Sequence, residues 1–255
     1  MNYHYWYFII IITLVSCSSN AKPKKEIPSH SENEPIINNQ YFSIGRIDTT
    51  LYTNFEEALL APDNVLRLDL SNLDFSELTK EIGLFKNLKH LDLSGTNVQT
   101  LPVEIGDLIN LEELYLNDNY QLQELPYEFS NLKSLKYLDL SLTKLDSFPT
   151  ALCELSNLEF LNIMKTQLET IPPCIGNLKN LRTLYVNNCK LKCLPSEIGA
   201  LEKLEELWLI NTDLADLPEE IRELQNLKHL WIWPEKKLRL KIEELLPNVL
   251  LDKSK

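Results

Sequence analysis

Positive charge is scarce in this chain of 255 residues: 25 Lys and Arg stand against 37 Asp and Glu, a formal net charge of -12. Binding nucleic acid needs a basic face to neutralise phosphates, so nucleic acid is excluded as a partner. Anionic lipid would repel the folded part, so attachment to a membrane has to come from something other than surface charge. Long apolar runs are missing as well. The stretch from Tyr5 to Val15 is 11 residues long and interrupted only by Thr13, too short to span a bilayer but suited to the core of a signal peptide. Metal-ligand spacing is absent: no Cys-x-x-Cys pair and no His-Cys arrangement of the zinc kind occurs, so neither a metal nor a cofactor is expected. The 4 histidines are too dispersed for a catalytic triad. His30 falls in a polar stretch near the start, while His90 and His229 lie far apart in the pattern described next.

What the chain has instead is repetition. From Val65 to Trp233 one 23-residue phrase recurs 8 times, L-x-x-L-x-L-x-x-(N/T/C)-x-L-x-x-L-P-x-x-I-G-x-L-x-N, with copies starting at Val65, Leu88, Leu111, Leu135, Leu158, Leu181, Leu204 and Leu227. One interval is 24, because Asn119-Tyr120-Gln121-Leu122 holds an extra residue in a connecting turn, outside the apolar triplet.

Leu91 and Leu93 are two apart, the spacing that sends both side chains to one face of a short strand. Each copy therefore supplies one strand. The return path passes through Leu101-Pro102, Leu125-Pro126, Phe148-Pro149, Ile171-Pro172, Leu194-Pro195 and Leu217-Pro218, so successive strands must run parallel. Proline suits that outer arc, where no ladder hydrogen bond is required of it. Ile-Gly pairs such as Ile105-Gly106 and Ile198-Gly199 insert an apolar anchor and then relieve crowding, and Leu108, Leu132, Leu155, Leu178, Leu201 and Leu224 complete the inward set. No coil can bury these residues alone, and stacking makes one continuous core.

This phrase is identified as that of a leucine-rich repeat, and its LPxxIGxLxNL wording resembles the 23-residue class of Ras-suppressor-type and Scribble-type repeats and of many bacterial surface proteins, over about two thirds of the chain. The resemblance implies an α/β fold: a right-handed horseshoe with a parallel sheet on its concave face, short helices or turns on its convex face, and a role as an interaction module. Caps are expected at both ends. Asn54 to Pro62 reads as a short amphipathic helix with an N-capping asparagine and early carboxylates, and Lys241 to Pro247 with Val249 to Leu251 would shield the last coil.

Near the amino terminus, Leu14-Val15-Ser16-Cys17 resembles a bacterial lipobox, which implies acylation of Cys17. Lys22, Lys24 and Lys25 follow the apolar core where positive charge normally precedes it. An uncleaved interfacial anchor, or a cytosolic scaffold, is the alternative. The layout is a signal peptide over 1–16 ending at Cys17, a disordered tether over 17–40, an amino-terminal cap over 41–64, repeats over 65–233 and a carboxy-terminal cap over 234–255. The expected location is outside the cytoplasm, lipid-anchored at a bacterial outer membrane or cell surface.

With Cys17 set aside, Cys153, Cys174, Cys189 and Cys193 remain, and a bridge between Cys153 and Cys174 on the backs of adjacent coils is permitted but not required. The ninth position of the phrase reads Leu73, Thr96, Asn119, Thr143, Thr166, Cys189 and Thr212, an inward set that makes Cys189 structural and unreactive.

The open sheet face carries the information about function. Its middle outward column reads Asp69, Asp92, Tyr115, Asp139, Asn162, Tyr185, Trp208 and Trp231, acidic at first and aromatic later; Met164, Ile210 and Trp233 extend the aromatic end on one side, Tyr137 and Phe160 on the other. Tyr115, Tyr137, Phe160, Met164, Tyr185, Trp208, Ile210, Trp231 and Trp233 are the candidate partner-binding residues, because an exposed patch of this kind marks a contact surface. The alternative for Trp231 and Trp233 is burial beneath the carboxy-terminal cap. Asp69 and Asp92 read as solvated strand residues. A monomer that binds a protein or peptide is the leading expectation, a polysaccharide the second. An enzyme is not expected, since no room outside the stack is seen for a catalytic unit.

Overall fold

A computed structural model describes residues 51–234 and 236–251. Cys17, the apolar run before it and the tether lie outside the described residues. The described residues form one sheet of 10 strands in sequence order. They are β1 (Leu51–Tyr52), β2 (Arg67–Asp69), β3 (His90–Asp92), β4 (Glu113–Tyr115), β5 (Tyr137–Asp139), β6 (Phe160–Asn162), β7 (Thr183–Tyr185), β8 (Glu206–Trp208), β9 (His229–Trp231) and β10 (Leu250–Leu251). All neighbouring pairs are parallel, and the register aligns the repeats position for position: Leu68 opposite Leu91, then Leu114, Leu138, Leu161, Leu184, Leu207 and Leu230. Every one of these leucines is fully buried. The fold is a leucine-rich repeat solenoid.

The convex side is built from short 3-10 segments, and two of them, Val103–Asp107 and Ser196–Ala200, show the pattern of a preceding proline in extended conformation. Glycine after the buried isoleucine is required by the neighbouring coil. A Cβ on Gly106 would stand 2.3 Å from the Glu128 carbonyl oxygen, and one on Gly199 2.3 Å from that of Glu220. The phrase's last asparagine ties coils together: the side-chain amides of Asn87, Asn110, Asn157, Asn180 and Asn226 donate to backbone carbonyls of the preceding coil.

After each of β2 to β8 the chain turns through the left-handed region, at Asn72, Gly95, Asp118, Leu142, Lys165, Asn188 and Asn211. Asparagine, aspartate and glycine tolerate that conformation best, and they fill most of these positions. The ninth-position residues then close the turn from inside. Thr96 Oγ1 donates to the Leu93 carbonyl, Asn119 Nδ2 donates to the carbonyls of Leu93 and Leu116, and Asn119 Oδ1 accepts from Val98 N. Cys189 does the same with its thiol, 3.2 Å from the Ile163 carbonyl, and burial pushes that thiol's pKa up. Leu73 departs from the inward expectation: it is exposed, because no coil of the phrase precedes it.

At the first end, α1 (Phe55–Leu59) starts where the Asn54 side chain accepts from Glu57 N, and the Phe55 ring meets Phe85 edge-on at 5.5 Å. At the other end, α2 (Lys236–Leu245) buries Leu238 and Ile242 in the core. Both end segments also contribute a strand, β1 and β10, which extends the sheet beyond the repeats. Cys153 and Cys174 are bridged across adjacent coils, with Cα atoms 5.5 Å apart. Cys189 and Cys193 are free. No helix among the described residues is long and apolar enough to cross a membrane.

Candidate functional site

Inward leucines alternate with outward residues along each strand, so the first and third residues of β2 to β9 stand on the open face. The parallel register brings equivalent side chains to neighbouring positions about 4.8 Å apart. Aromatic residues use this to form an unbroken series of ring contacts. From His90 the rings run to Tyr115 at 5.3 Å, Tyr137 at 4.8 Å, Phe160 at 4.3 Å, Tyr185 at 5.2 Å, Trp208 at 5.0 Å and Trp231 at 4.3 Å. His229 adds a further ring beside Trp231 at 6.4 Å. The series changes column as it goes, starting at the first residue His90, crossing to the third residue Tyr115, passing through the first residues Tyr137 and Phe160, and returning to third residues from Tyr185 onward.

Six of the nine sequence-predicted contact residues, Tyr115, Tyr137, Phe160, Tyr185, Trp208 and Trp231, are thus brought together, but they do not form the exposed patch expected. Trp208 is only 9% exposed, and Tyr115, Tyr137, Phe160, Tyr185 and Trp231 are half-buried. The cause is mutual cover. Tyr137 lies flat against Phe160 with planes 2° apart, and Trp208 against Trp231 with planes 16° apart. Each stacked ring covers one face of its partner, while Phe160 with Tyr185 and Tyr185 with Trp208 meet edge to face. Met164 and Ile210 are half-buried along the strand exits, while Trp233 is 58% exposed, so α2 does not cover it. The Trp231 Nε1 donor has no acceptor among the described residues, whereas Trp208 Nε1 donates to Glu206.

The acidic residues of the middle column hold the turns. Asp69, Asp92 and Asp139 each accept the backbone N–H two residues on, at Ser71, Ser94 and Ser141, and Asn162 does so for Met164. Asp69 and Asp92 are partly exposed strand residues that carry this role in addition. Asp139 is deep in the face, and burial raises its pKa, against the lowering by Ser141 and Asn162. Burial likewise raises Tyr115 and Tyr137, with Glu113 and Asp139 as the leading carboxylates beside them respectively. The Glu113 carboxylate lies 2.9 Å from His90 Nδ1 and accepts its hydrogen bond.

A second ladder, one residue before each of β3 to β9, escaped the sequence reading. Lys89, Glu112, Lys136, Glu159, Arg182, Glu205 and Lys228 alternate in sign along the rim. Lys89 and Lys136 both reach Glu112, Arg182 reaches Glu159 and Glu205, and Lys228 reaches Glu205. Lys136 first and then Lys89 hold the Glu112 carboxyl below its ordinary range, as Lys228 and Arg182 do for Glu205. The signal was present as a sign change at every copy, but only stacking turns a distance of 23 residues into contact. No group of three or more His, Cys, Asp or Glu among the described residues is arranged to hold a metal ion.

Comparison with known proteins agrees with this architecture. A family model for a leucine-rich repeat region matches residues 127–252, and a model for two copies of leucine rich repeats matches residues 86–127. No curated protein matches the chain. Among solved structures, the leucine-rich repeat domain of the type III effector XopL is 25% identical with a TM-score of 0.57, covering 72% of this chain and 73% of that one. Internalin C2 from Listeria monocytogenes is 21% identical with a TM-score of 0.56, covering 69% of this chain and 84% of that one. The plant peptide hormone receptor RGFR1, in complex with RGF2, is 27% identical with a TM-score of 0.53, covering 74% of this chain but 36% of the receptor. Contiguous matches from residue 86 to 252, on a solenoid of register-aligned parallel strands, make the chain a leucine-rich repeat protein.

Proposed function

We propose that this protein is a non-enzymatic interaction module that holds an extended segment of a partner protein against its concave face, displayed outside the cytoplasm by a lipid anchor on Cys17. Leucine-rich repeat proteins mediate protein–protein interaction, and one structure it is similar to, RGFR1, is in complex with RGF2. The observation that carries the reading is the continuous ring series from His90 to Trp231 on an otherwise open sheet. Rings and indoles are the side chains that dominate interface energetics.

The ring geometry favours a peptide over a glycan. Sugars lie on the flat face of an aromatic ring, but at Tyr137–Phe160 and Trp208–Trp231 those faces are already stacked on each other. Ring edges, which carry the positive rim of the ring quadrupole, suit backbone carbonyls and packed side chains. Export is supported by the apolar run and Leu14-Val15-Ser16-Cys17, and the Cys153–Cys174 bridge suits an oxidising compartment.

Cross-linking on intact cells with the native chain and with the pair Tyr185→Ala, Trp208→Ala tests the site. The expected result is a protein adduct that the variant loses while its unfolding remains cooperative. Equal adducts from both chains, or displacement by soluble glycans alone, would remove the proposal. Acyl-label incorporation, lost in Cys17→Ala, tests the anchor.

A further inference from the structure

The concave face is not only aromatic; over β3 to β5 it is also acidic, and the cations beside it are Arg67 on the neighbouring β2 and Lys165 at a strand exit. From β3 to β9 the outward residues of the strands, and those just after them, include no Lys or Arg, yet they hold Asp92, Glu113, Asp139 and Glu206. Three of these carboxylates occupy the consecutive strands β3, β4 and β5. Their hydrogen-bond partners are a histidine or neutral groups: Ser94 for Asp92, His90 and Tyr115 for Glu113, Ser141 and Asn162 for Asp139. The basic residues nearest in sequence, Lys89, Lys136, Arg182 and Lys228, are spent in the rim ladder on Glu112, Glu159 and Glu205. The strand-exit turns add one residue of each sign, Asp118 and Lys165. The register places Tyr115 between Asp92 and Asp139, with Glu113 in the neighbouring column beside His90, so three carboxylates surround one ring, and a cation placed over them is attracted in a partly desolvated site. Farther along, β6 to β9 present the rings of Phe160, Tyr185, Trp208 and Trp231 with Met164 and Ile210 beside them.

We propose that the segment recognised here is bipartite: an extended peptide stretch whose lysine or arginine side chains lie over β3 to β5 and whose apolar side chains lie over β6 to β9. This rests on the reading of the concave face as the binding surface. Six strand spacings of about 4.8 Å make the face about 29 Å long, which an extended chain rising about 3.3 Å per residue crosses in about nine residues. The basic part comes first along the face and the apolar part follows within the same short segment.

The test uses a display library of random twelve-residue peptides selected on the full chain at physiological salt. The enriched pool should carry Lys or Arg a few residues from apolar positions. Its best peptide should bind at least tenfold more weakly to the triple variant Asp92→Asn, Glu113→Gln, Asp139→Asn. These changes are conservative, because amide oxygens keep the turn bonds, as Asn162 already does for Met164. A control variant, Glu56→Gln, Glu57→Gln, Glu223→Gln, removes the same charge from exposed positions off the face and should leave affinity within twofold. A neutral or acidic pool, or equal losses in both triple variants, overturns the charge assignment; if Tyr185→Ala, Trp208→Ala still abolishes binding in that case, the face reading survives. A pool no different from that selected on the alanine pair overturns both.

Discussion

Reduction of the Cys153–Cys174 bridge is expected to destabilise the stack by a predictable amount, because the bridge closes a loop of known length. The two cysteines are separated by 21 residues, one coil of the solenoid. Loop-closure entropy for a loop of that size corresponds to about 3 kcal/mol at 25 °C. Other effects of removal are smaller: the sulfurs sit on the convex arc, and Cys153 is buried against an intact row of leucines. For a folded region of this size about 3 kcal/mol translates into roughly 6 to 12 °C of melting temperature. The assay is urea unfolding followed by circular dichroism, with and without reductant, on the native chain and on Cys153→Ser, Cys174→Ser. The native chain should lose its midpoint advantage on reduction, and the variant should be indifferent to reductant. Cys193→Ser, at an exposed free thiol, should behave as the native chain. An unchanged midpoint in the native chain after complete reduction would refute the loop-closure reasoning.

Other perturbations separate the core from the face. Leu161→Ala, at a fully buried leucine of β6, should cost about 2 to 5 kcal/mol by chemical denaturation. Gly106→Ala should cost about 1 to 3 kcal/mol in the same assay, since its new methyl would meet the Glu128 carbonyl of the next coil. Asp139→Asn should stabilise the chain at neutral pH. Burial raises the folded-state pKa of Asp139, so the ionised group opposes folding above that pKa; the variant's advantage should shrink as pH falls through it and vanish below the ordinary aspartate range. A pH series of denaturation midpoints for both chains checks the sign.

The strand of each copy was legible because a period of two within a period of 23 leaves one solution: Leu91 and Leu93 must share a face, and so must their equivalents. The ends were legible in part. Asn54 and the carboxylates after it announced α1, but nothing in Leu51-Tyr52 or Leu250-Leu251 distinguishes a two-residue strand from a tail until a neighbouring strand offers its hydrogen bonds. Six of the aromatic residues read for the face meet in one series, but the exposure expected of them is not found. Sequence placed Trp208 beside Trp231, yet the burial of Trp208 follows from ring orientation, a property of three adjacent strands at once. His90 and Glu113 joined the site for the same reason, and the bridge between Cys153 and Cys174 was decided by the offset of adjacent coils, which spacing alone left open.

The most direct test of the concave face as the contact surface is site-specific photo-cross-linking. Thr183 stands on β7 between Phe160 and Glu206 in register, whereas Glu223 is exposed on the convex arc. A photoreactive residue at Thr183 should capture the partner on intact cells and the same residue at Glu223 should not. Capture from Glu223 with none from Thr183 would contradict the account.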